Sequence, residues 1–178
     1  MNIYLLVIII FLIFSYLIEF IADYLNVKNM SDVLPKEFEG YYDGEKYKKS
    51  QNYLKDKTNF SFISSSFVLV TGIVFILAGG FNFIDKFARS FGYGEIVSGM
   101  IFVSVLMLLL NIIKIPFSAY NTFVIEEKYG FNKTTIKTFI SDIIKNNLLL
   151  ILIGIPIFAV IVWFFMEFDS MAWVYAVL

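Results

Sequence analysis

Glu126 and Glu127 are two adjacent carboxylates, and their residue type and spacing could serve acid/base or metal chemistry. Paired carboxylates can exchange protons with a substrate or bind a divalent cation. Adjacent residues on a helix point about 100° apart, however, so this spacing does not by itself make a shared site. We therefore expect the pair to have a structural or positioning role, with acid/base or metal chemistry as the alternative.

The chain contains no Cys and no His, which restricts its chemistry further. A catalytic zinc site uses three protein ligands and a water, and imidazole is the usual ligand. A cysteine nucleophile and a Ser/His triad are excluded for the same reason. The sequence also has no Gly-rich phosphate loop, H-E-x-x-H or Ser-centred elbow. We therefore predict that this chain alone binds no catalytic zinc and hydrolyses no peptide.

The composition indicates a membrane protein. Of the 178 residues, 59% are hydrophobic and 16% are charged, and the mean hydropathy is +0.77, which departs from the soluble class. A net charge of −1 offers no basic surface for nucleic acid, so the lipid bilayer is the first partner that the sequence predicts.

Four apolar segments approach the ~20 residues that a spanning helix needs. They cover residues 3–22, 62–84, 96–115 and 148–166. A fifth run, 171–178, would reach only ~12 Å as a helix. The first segment has neither a basic start nor a small-residue cleavage site, which favours an uncleaved helix over a signal peptide. The predicted fold is an all-α, polytopic transmembrane helical bundle with four full spans and the start of a fifth.

The lysines predict the orientation of these spans. Seven lysines lie between the first two apolar segments, and five more run from Lys114, at the end of the third segment, to Lys145 before the fourth. Only Lys86 and Arg89 lie on the other side. Basic loops favour the cytoplasm. We therefore expect the loops 23–59 and 120–147 to be cytoplasmic and the N-terminus to lie outside.

Each cytoplasmic loop is predicted to contain an amphipathic helix. Asp43 can cap a helix from about Gly44 to Lys57. Asn132 is a second predicted N-cap, ahead of an apolar stripe that would lie on the membrane surface and lead into the fourth span. Its members are Ile136, Phe139, Ile140, Ile143 and Ile144.

Several polar residues adjoin the predicted spans. Glu19 lies at the end of the first apolar segment, and Asn111 and Ser118 flank Pro116, which should kink or end its helix. Another bend is expected at Pro156. These polar side chains could line a water-filled chamber, because ionisable groups near a membrane interior usually face protein or water. The alternative is that they are hydrated where the helices leave the bilayer.

The stretch 120–133, Tyr-Asn-Thr-Phe-Val-Ile-Glu-Glu-Lys-Tyr-Gly-Phe-Asn-Lys, resembles the third-loop signature of the CAAX prenyl endopeptidases, which are integral membrane zinc metalloproteases. The order of residues in the first loop resembles the same family, at Pro35, Tyr47, Lys49, Ser50, Tyr53, Asp56, Lys57 and Phe60. Within the signature, the resemblance suggests a positioning role for Asn121, Glu126, Glu127, Lys128, Gly130, Phe131 and Asn132.

This resemblance implies a seven-helix enzyme whose N-terminal helices wall a large intramembrane chamber. In the family, two His of H-E-x-x-H and a later Glu hold zinc at the cytoplasmic end, and the motif Glu is the general base. All of these would lie beyond Leu178. The chain is thus expected to be the N-terminal transmembrane domain, a fragment that partners the C-terminal catalytic portion. The substrate would be a C-terminal CAAX-type or other membrane-associated peptide.

A second hypothesis is a stand-alone, non-catalytic membrane adaptor or inactive remnant, which the absence of His favours. A small transporter is a distant third, because the sequence has no visible internal repeat.

Overall fold

The computed structural model describes residues 2–168, and within that range every regular element is a helix. The main helices are α1 (Ile3–Asn29), α2 (Gly44–Leu77), α3 (Gly80–Arg89), α4 (Glu95–Tyr120), α5 (Ile136–Leu149) and α6 (Ile155–Phe168). A 3-10 turn occupies Lys36–Phe38, and two π-helical segments occupy Asn121–Glu126 and Leu150–Gly154. The predicted run 171–178 lies outside the described residues.

Four helices of the described chain are long and apolar enough to cross a membrane, which confirms the all-α, four-span prediction. They cover Ile3–Asn29, Gly44–Leu77, Glu95–Glu126 and Ile136–Phe168. At most 6% of the most apolar window of each helix is buried inside the protein. Such outward-facing apolar side chains are stable in hydrocarbon, where helices satisfy their backbone hydrogen bonds internally.

The predicted first loop, residues 23–59, is mostly helical, so the segment between the first two helices is shorter at both ends than predicted. α1 continues past residue 22 to Asn29, and α2 begins at Gly44. Asp43 caps α2 as predicted, since its Oδ1 accepts hydrogen bonds from the backbone N–H groups of Glu45 and Lys46 at 2.9 and 3.3 Å. The predicted end at Lys57 is wrong. No Gly or Pro follows there, so the helix runs on into the second span.

The second span ends earlier than predicted. α2 stops at Leu77, and Gly79, with φ +75°, separates it from α3. Apolar residues such as Phe81 continue across this break, which is why the pattern suggested one segment to residue 84. The left-handed conformation at Gly79 costs a glycine little, and it starts a new helix with Ile84 and Ala88 buried.

Both prolines inside the later spans are accommodated without ending a helix. Pro116 lies within α4, and the π-helical segment at Asn121–Glu126 extends this span to Glu126, beyond the predicted end at 115. Before Pro156, the N–H of Ile155 bonds to the carbonyl of Leu150, five residues back. A proline removes one backbone donor, and π turns occur mostly as short bulges inside α-helices that continue on both sides.

The fourth spanning helix begins at Ile136, twelve residues before the predicted start at 148. Its cap is Thr135, which accepts a hydrogen bond from the N–H of Thr138 at 3.1 Å. The prediction that Asn132 would be the N-cap is therefore wrong. Asn132 instead donates its side-chain amide to Glu127, and three residues separate it from the helix.

The chain forms two compact units. The described part of the first comprises residues 2–77 and 115–133, and that of the second comprises 78–114 and 134–168. In the first unit α1 packs on α2: the hydroxyls of Tyr16 and Ser66 are 2.6 Å apart, and the ring centroids of Phe20 and Phe62 are 4.6 Å apart. In the second unit, Asn111 donates to Asn147 at 3.2 Å.

Candidate functional site

The segment 121–133 packs against one face of α2 in the first unit. This α2 face consists of Lys49, Tyr53, Asp56 and Phe60, whose spacing of four, three and four residues places them on the same side of a helix. Because α2 is unbroken from Gly44 to Leu77, the face continues directly from the membrane span. A rigid element therefore presents these side chains to the third-loop segment.

Asp56 lies at the centre of the polar contact. Its Oδ2 accepts hydrogen bonds from Lys128 Nζ at 2.6 Å and from the hydroxyl of Tyr129 at 2.7 Å. We call these three residues the Asp56 cluster. The side chain of Lys128 is 62% exposed, so this ion pair is screened by solvent, whereas Tyr129 is only 9% exposed. The tyrosine bond is therefore the better protected of the two.

Both donors to Asp56 are protonated at neutral pH, and the surroundings of each raise its pKa further. Burial raises the pKa of the Tyr129 phenol above its usual 10.0, and its hydrogen bond to Asp56 raises that pKa further. The hydrogen bond to Asp56 likewise raises the pKa of Lys128 above 10.5. Each shift favours the protonated form, which is the form that donates to Asp56. The contact is consequently insensitive to pH across the physiological range.

Aromatic rings extend this contact on both sides of Asp56. The ring of Tyr53 meets Tyr129 and Phe131 edge-on, with centroids 5.7 and 4.9 Å apart. Lys49 Nζ lies 5.4 Å from the centroid of Phe131, within cation–π range. Further along α2, Phe60 stacks on Tyr120 at 4.5 Å. The contact therefore combines apolar burial with charge.

A Schellman-type turn ends the third-loop helix and directs Phe131 towards the α2 face. The N–H of Phe131 bonds to the carbonyl of Glu126, and the N–H of Gly130 bonds to that of Glu127, both at 2.9 Å. Gly130 has φ +65°, the left-handed conformation that this turn requires. Glycine is favoured here because a Cβ would strain the backbone in this conformation. The cause is not crowding, since the atom nearest to such a Cβ would be Lys49 Nζ, at 3.7 Å.

Glu126 and Glu127 are held by different partners. Asn121 donates to Glu126 at 2.9 Å across the π-helical segment, and Asn132 donates to Glu127 at the same distance. The structure thus directs the two carboxylates to separate hydrogen bonds. Within residues 2–168, no three or more His, Cys, Asp or Glu side chains are grouped so that they could hold a metal ion. The described residues therefore do not fit a zinc site.

The predicted chamber-lining residues are distributed over both units. Glu19 and Ser118 are exposed side chains of the first unit. Asn111 belongs to the second unit, where it is half-buried and bonded to Asn147. Asn147 in turn donates to the carbonyl of Ile143 at 2.7 Å. The sequence analysis did not single out Asn147 as a site residue.

The sequence analysis also left Asp56 and Tyr129 out of the candidate site. The signal that could have found Asp56 is the α2 face itself, which places a lone carboxylate between Tyr53 and Phe60 at helical spacing. Its partner could not be read from spacing, because 72 residues separate Asp56 from Lys128.

The spanning helices and the docked third loop define a polytopic α-helical membrane domain. Residues 23–178 match the family model described as the CAAX prenyl protease N-terminal domain with five membrane helices. The chain belongs to this family. The match includes the α2 face and the whole of the segment 121–133, so both partners of the contact lie inside the family domain.

Relatives and a solved structure agree with this assignment. The chain is 37% identical over 160 residues to a CAAX prenyl protease 1 homolog of Oryza sativa subsp. japonica, covering 85% of the chain and 38% of that protein. It is 35% identical over 137 residues to the Mus musculus homolog, covering 73% and 29%. A crystal structure of S. mikatae Ste24p matches with TM-score 0.86 and 30% identity, covering 98% of the chain and 42% of that structure. The chain therefore spans less than half the length of these proteins.

Proposed function

We propose that this chain is the membrane domain of a zinc metalloendopeptidase whose zinc ligands lie outside these residues. Its spanning helices form the wall of an intramembrane chamber, and the contact between the α2 face and segment 121–133 positions the peptide substrate. The Asp56 cluster is the observation that carries this proposal. It joins, at 2.6 and 2.7 Å, the two loop regions through which the sequence resembles the protease family.

A positioning role follows from how the third-loop segment is restrained. Its helix end is fixed by the turn at Gly130, and its outer side is fixed by Tyr129 and Phe131 against α2. A segment restrained by side-chain packing and hydrogen bonds can hold a flexible peptide with less loss of entropy than a mobile loop. Glu127, which remains exposed beside this turn, is available to contact a peptide.

The substrate that we propose is a C-terminal CAAX-type peptide or another membrane-associated peptide. Two relatives are named as CAAX prenyl protease 1 homologs, which supports the first kind of substrate. A chain with four membrane spans would also meet substrates that are themselves at the bilayer. We further propose that the two lysine-bearing loops lie in the cytoplasm, on the same side as the zinc site.

The test uses the full-length protein encoded by the gene, purified in detergent, with a fluorogenic CAAX-type peptide and metal analysis. Asp56→Asn should reduce kcat/KM roughly tenfold, mainly by raising KM, while zinc content stays at the wild-type level. Asp32→Asn is the matched control, because Asp32 is exposed and its side chain makes no hydrogen bond or ion pair within the described residues. This variant should leave both parameters unchanged.

Two results would contradict the proposal. A full-length protein without stoichiometric zinc and without peptidase activity would contradict the peptidase function and favour a non-catalytic membrane adaptor. An active enzyme in which Asp56→Asn changes neither kcat nor KM would leave the protease function intact but remove the positioning role.

A further inference from the structure

A cleft of about 370 Å³ lies between α3 and the first turns of α4, in the second unit. Its volume is at the lower end of the ~300–1,000 Å³ that ligand pockets occupy. α3 contributes residues spaced three and four apart, and α4 does the same from the opposite wall. The lining consists of Phe81, Asn82, Asp85, Arg89, Glu95, Ser98, Gly99 and Phe102.

The polar lining of this cleft carries charges of both signs. Arg89 Nε donates to both carboxylate oxygens of Asp85, at 2.9 and 3.0 Å. The guanidinium has further N–H donors on its two Nη atoms, which can bind a second oxyanion. Glu95 adds another carboxylate, so the cleft holds one cation and two anions. A ligand that carries both charges would match this set better than a purely anionic one.

The position of the cleft in the chain indicates what it faces. α3 begins three residues after the membrane helix α2 ends, and the apolar run of α4 starts directly after Glu95. On its outer side α3 exposes Phe83 by 74% and Phe87 by 45%, as expected for aromatic side chains at a membrane interface. The cleft therefore lies at the level of lipid headgroups.

We propose that this cleft binds the headgroup of a phospholipid with a primary ammonium, phosphatidylethanolamine. The phosphate would bind Arg89, because a guanidinium presents a fork of donors that fits phosphate oxygens. The ammonium would donate to Glu95 and Asp85, which can accept its three N–H bonds. The trimethylammonium of phosphatidylcholine has no N–H to donate, and a lipid with a net negative charge would meet an excess of carboxylate. This site is independent of the proposed peptidase function.

The first experiment measures lipid binding to the purified chain in detergent by native mass spectrometry. Phosphatidylethanolamine should bind at least about tenfold more tightly than phosphatidylcholine or phosphatidylglycerol, the difference expected for one charge-assisted hydrogen bond. Equal binding of all three lipids would overturn the proposal. Soluble phosphoethanolamine should compete only weakly. If it binds as tightly as the lipid, the site recognises a free phosphoester and the lipid is the wrong occupant.

Variants locate the binding in the cleft. Glu95→Gln should reduce the preference for phosphatidylethanolamine over phosphatidylcholine about tenfold, because it removes an acceptor of the ammonium. Arg89→Gln should weaken the binding of both lipids about tenfold, because it removes the partner of the phosphate. Lys86→Gln, on the same helix but outside the cleft lining, should change neither the preference nor the affinity. The reversed pair Asp85→Arg with Arg89→Asp keeps an ion pair on α3, so it separates recognition from helix stability. If these cleft variants keep wild-type helicity by circular dichroism and also keep the wild-type lipid affinity and preference, the proposal is wrong.

Discussion

Tyr129→Phe removes only the hydroxyl that donates to Asp56 at 2.7 Å and leaves the ring against Tyr53. Hydrogen bonds to charged groups contribute about 1.5–3 kcal/mol. The Asp56 side chain is 34% exposed, so we take the lower end, about 1.5 kcal/mol. This corresponds to a roughly tenfold increase in the equilibrium for opening the third-loop segment.

Hydrogen–deuterium exchange of the micelle-solubilised chain measures this opening. The backbone amides of Gly130 and Phe131 are bonded within the turn, so their exchange should become about tenfold faster in Tyr129→Phe. Tyr47→Phe is the matched control, because the Tyr47 hydroxyl makes no hydrogen bond within residues 2–168. A double-mutant cycle with Asp56→Asn should give a coupling free energy of about 1 kcal/mol. Unchanged exchange in Tyr129→Phe, or strictly additive effects in the cycle, would refute the reasoning.

Three further predictions concern pH, backbone strain and topology. The pKa of the Tyr129 phenol is raised above 10.0 in the folded chain. The stabilisation from this phenol is therefore fully present below pH 10.0 and is lost as the pH rises through the folded-state pKa. The absorbance titration of wild type at 295 nm, after subtraction of that of Tyr129→Phe, should show a phenol that ionises at higher pH than the average tyrosine. Gly130→Ala should lower the free energy of unfolding by about 1 kcal/mol in denaturant titrations, because φ is +65° there, whereas Gly72→Ala within α2 should not lower it. In the cysteine-free chain, a single Cys beside Arg89 should react with an impermeant thiol reagent in intact cells and one beside Lys133 should not; the reverse pattern would invert the proposed orientation.

The number and type of spans could be predicted from the sequence, because hydrophobicity over about 20 residues is a strong local signal. Most of the helix boundaries could not, although the start of α2 at Gly44 could. α2 continues past Lys57 because polar residues there are compatible with a helix, and hydropathy does not distinguish a helix in water from a loop. The break at Gly79 was hidden because Phe81 and Ile84 continue the apolar pattern of α2 beyond it. The backbone conformation of one glycine decided this boundary.

The candidate site was predictable in its local parts and not in its pairings. Gly130 could be expected at a turn, and Asp43 at a helix start, since both depend on neighbouring residues. The interaction of Asp56 with Tyr129 depends on how two distant segments pack. Asparagine is a residue type that often caps helices, which is why Asn132 was predicted as an N-cap. Its side chain instead donates a hydrogen bond to Glu127 across the turn, and this bond prevailed over the capping preference.

The uninterrupted length of α2 has a mechanical consequence. Residues 44–61 precede its apolar part and extend it by about 27 Å, at 1.5 Å per residue. A change of about 10° in the tilt of the spanning portion would move the far end of this rod by nearly 5 Å, if the helix stays straight. Spanning helices adjust their tilt to the thickness of the surrounding bilayer. The Asp56 cluster joins this lever to the third loop, so membrane thickness can act on the position of the third-loop segment.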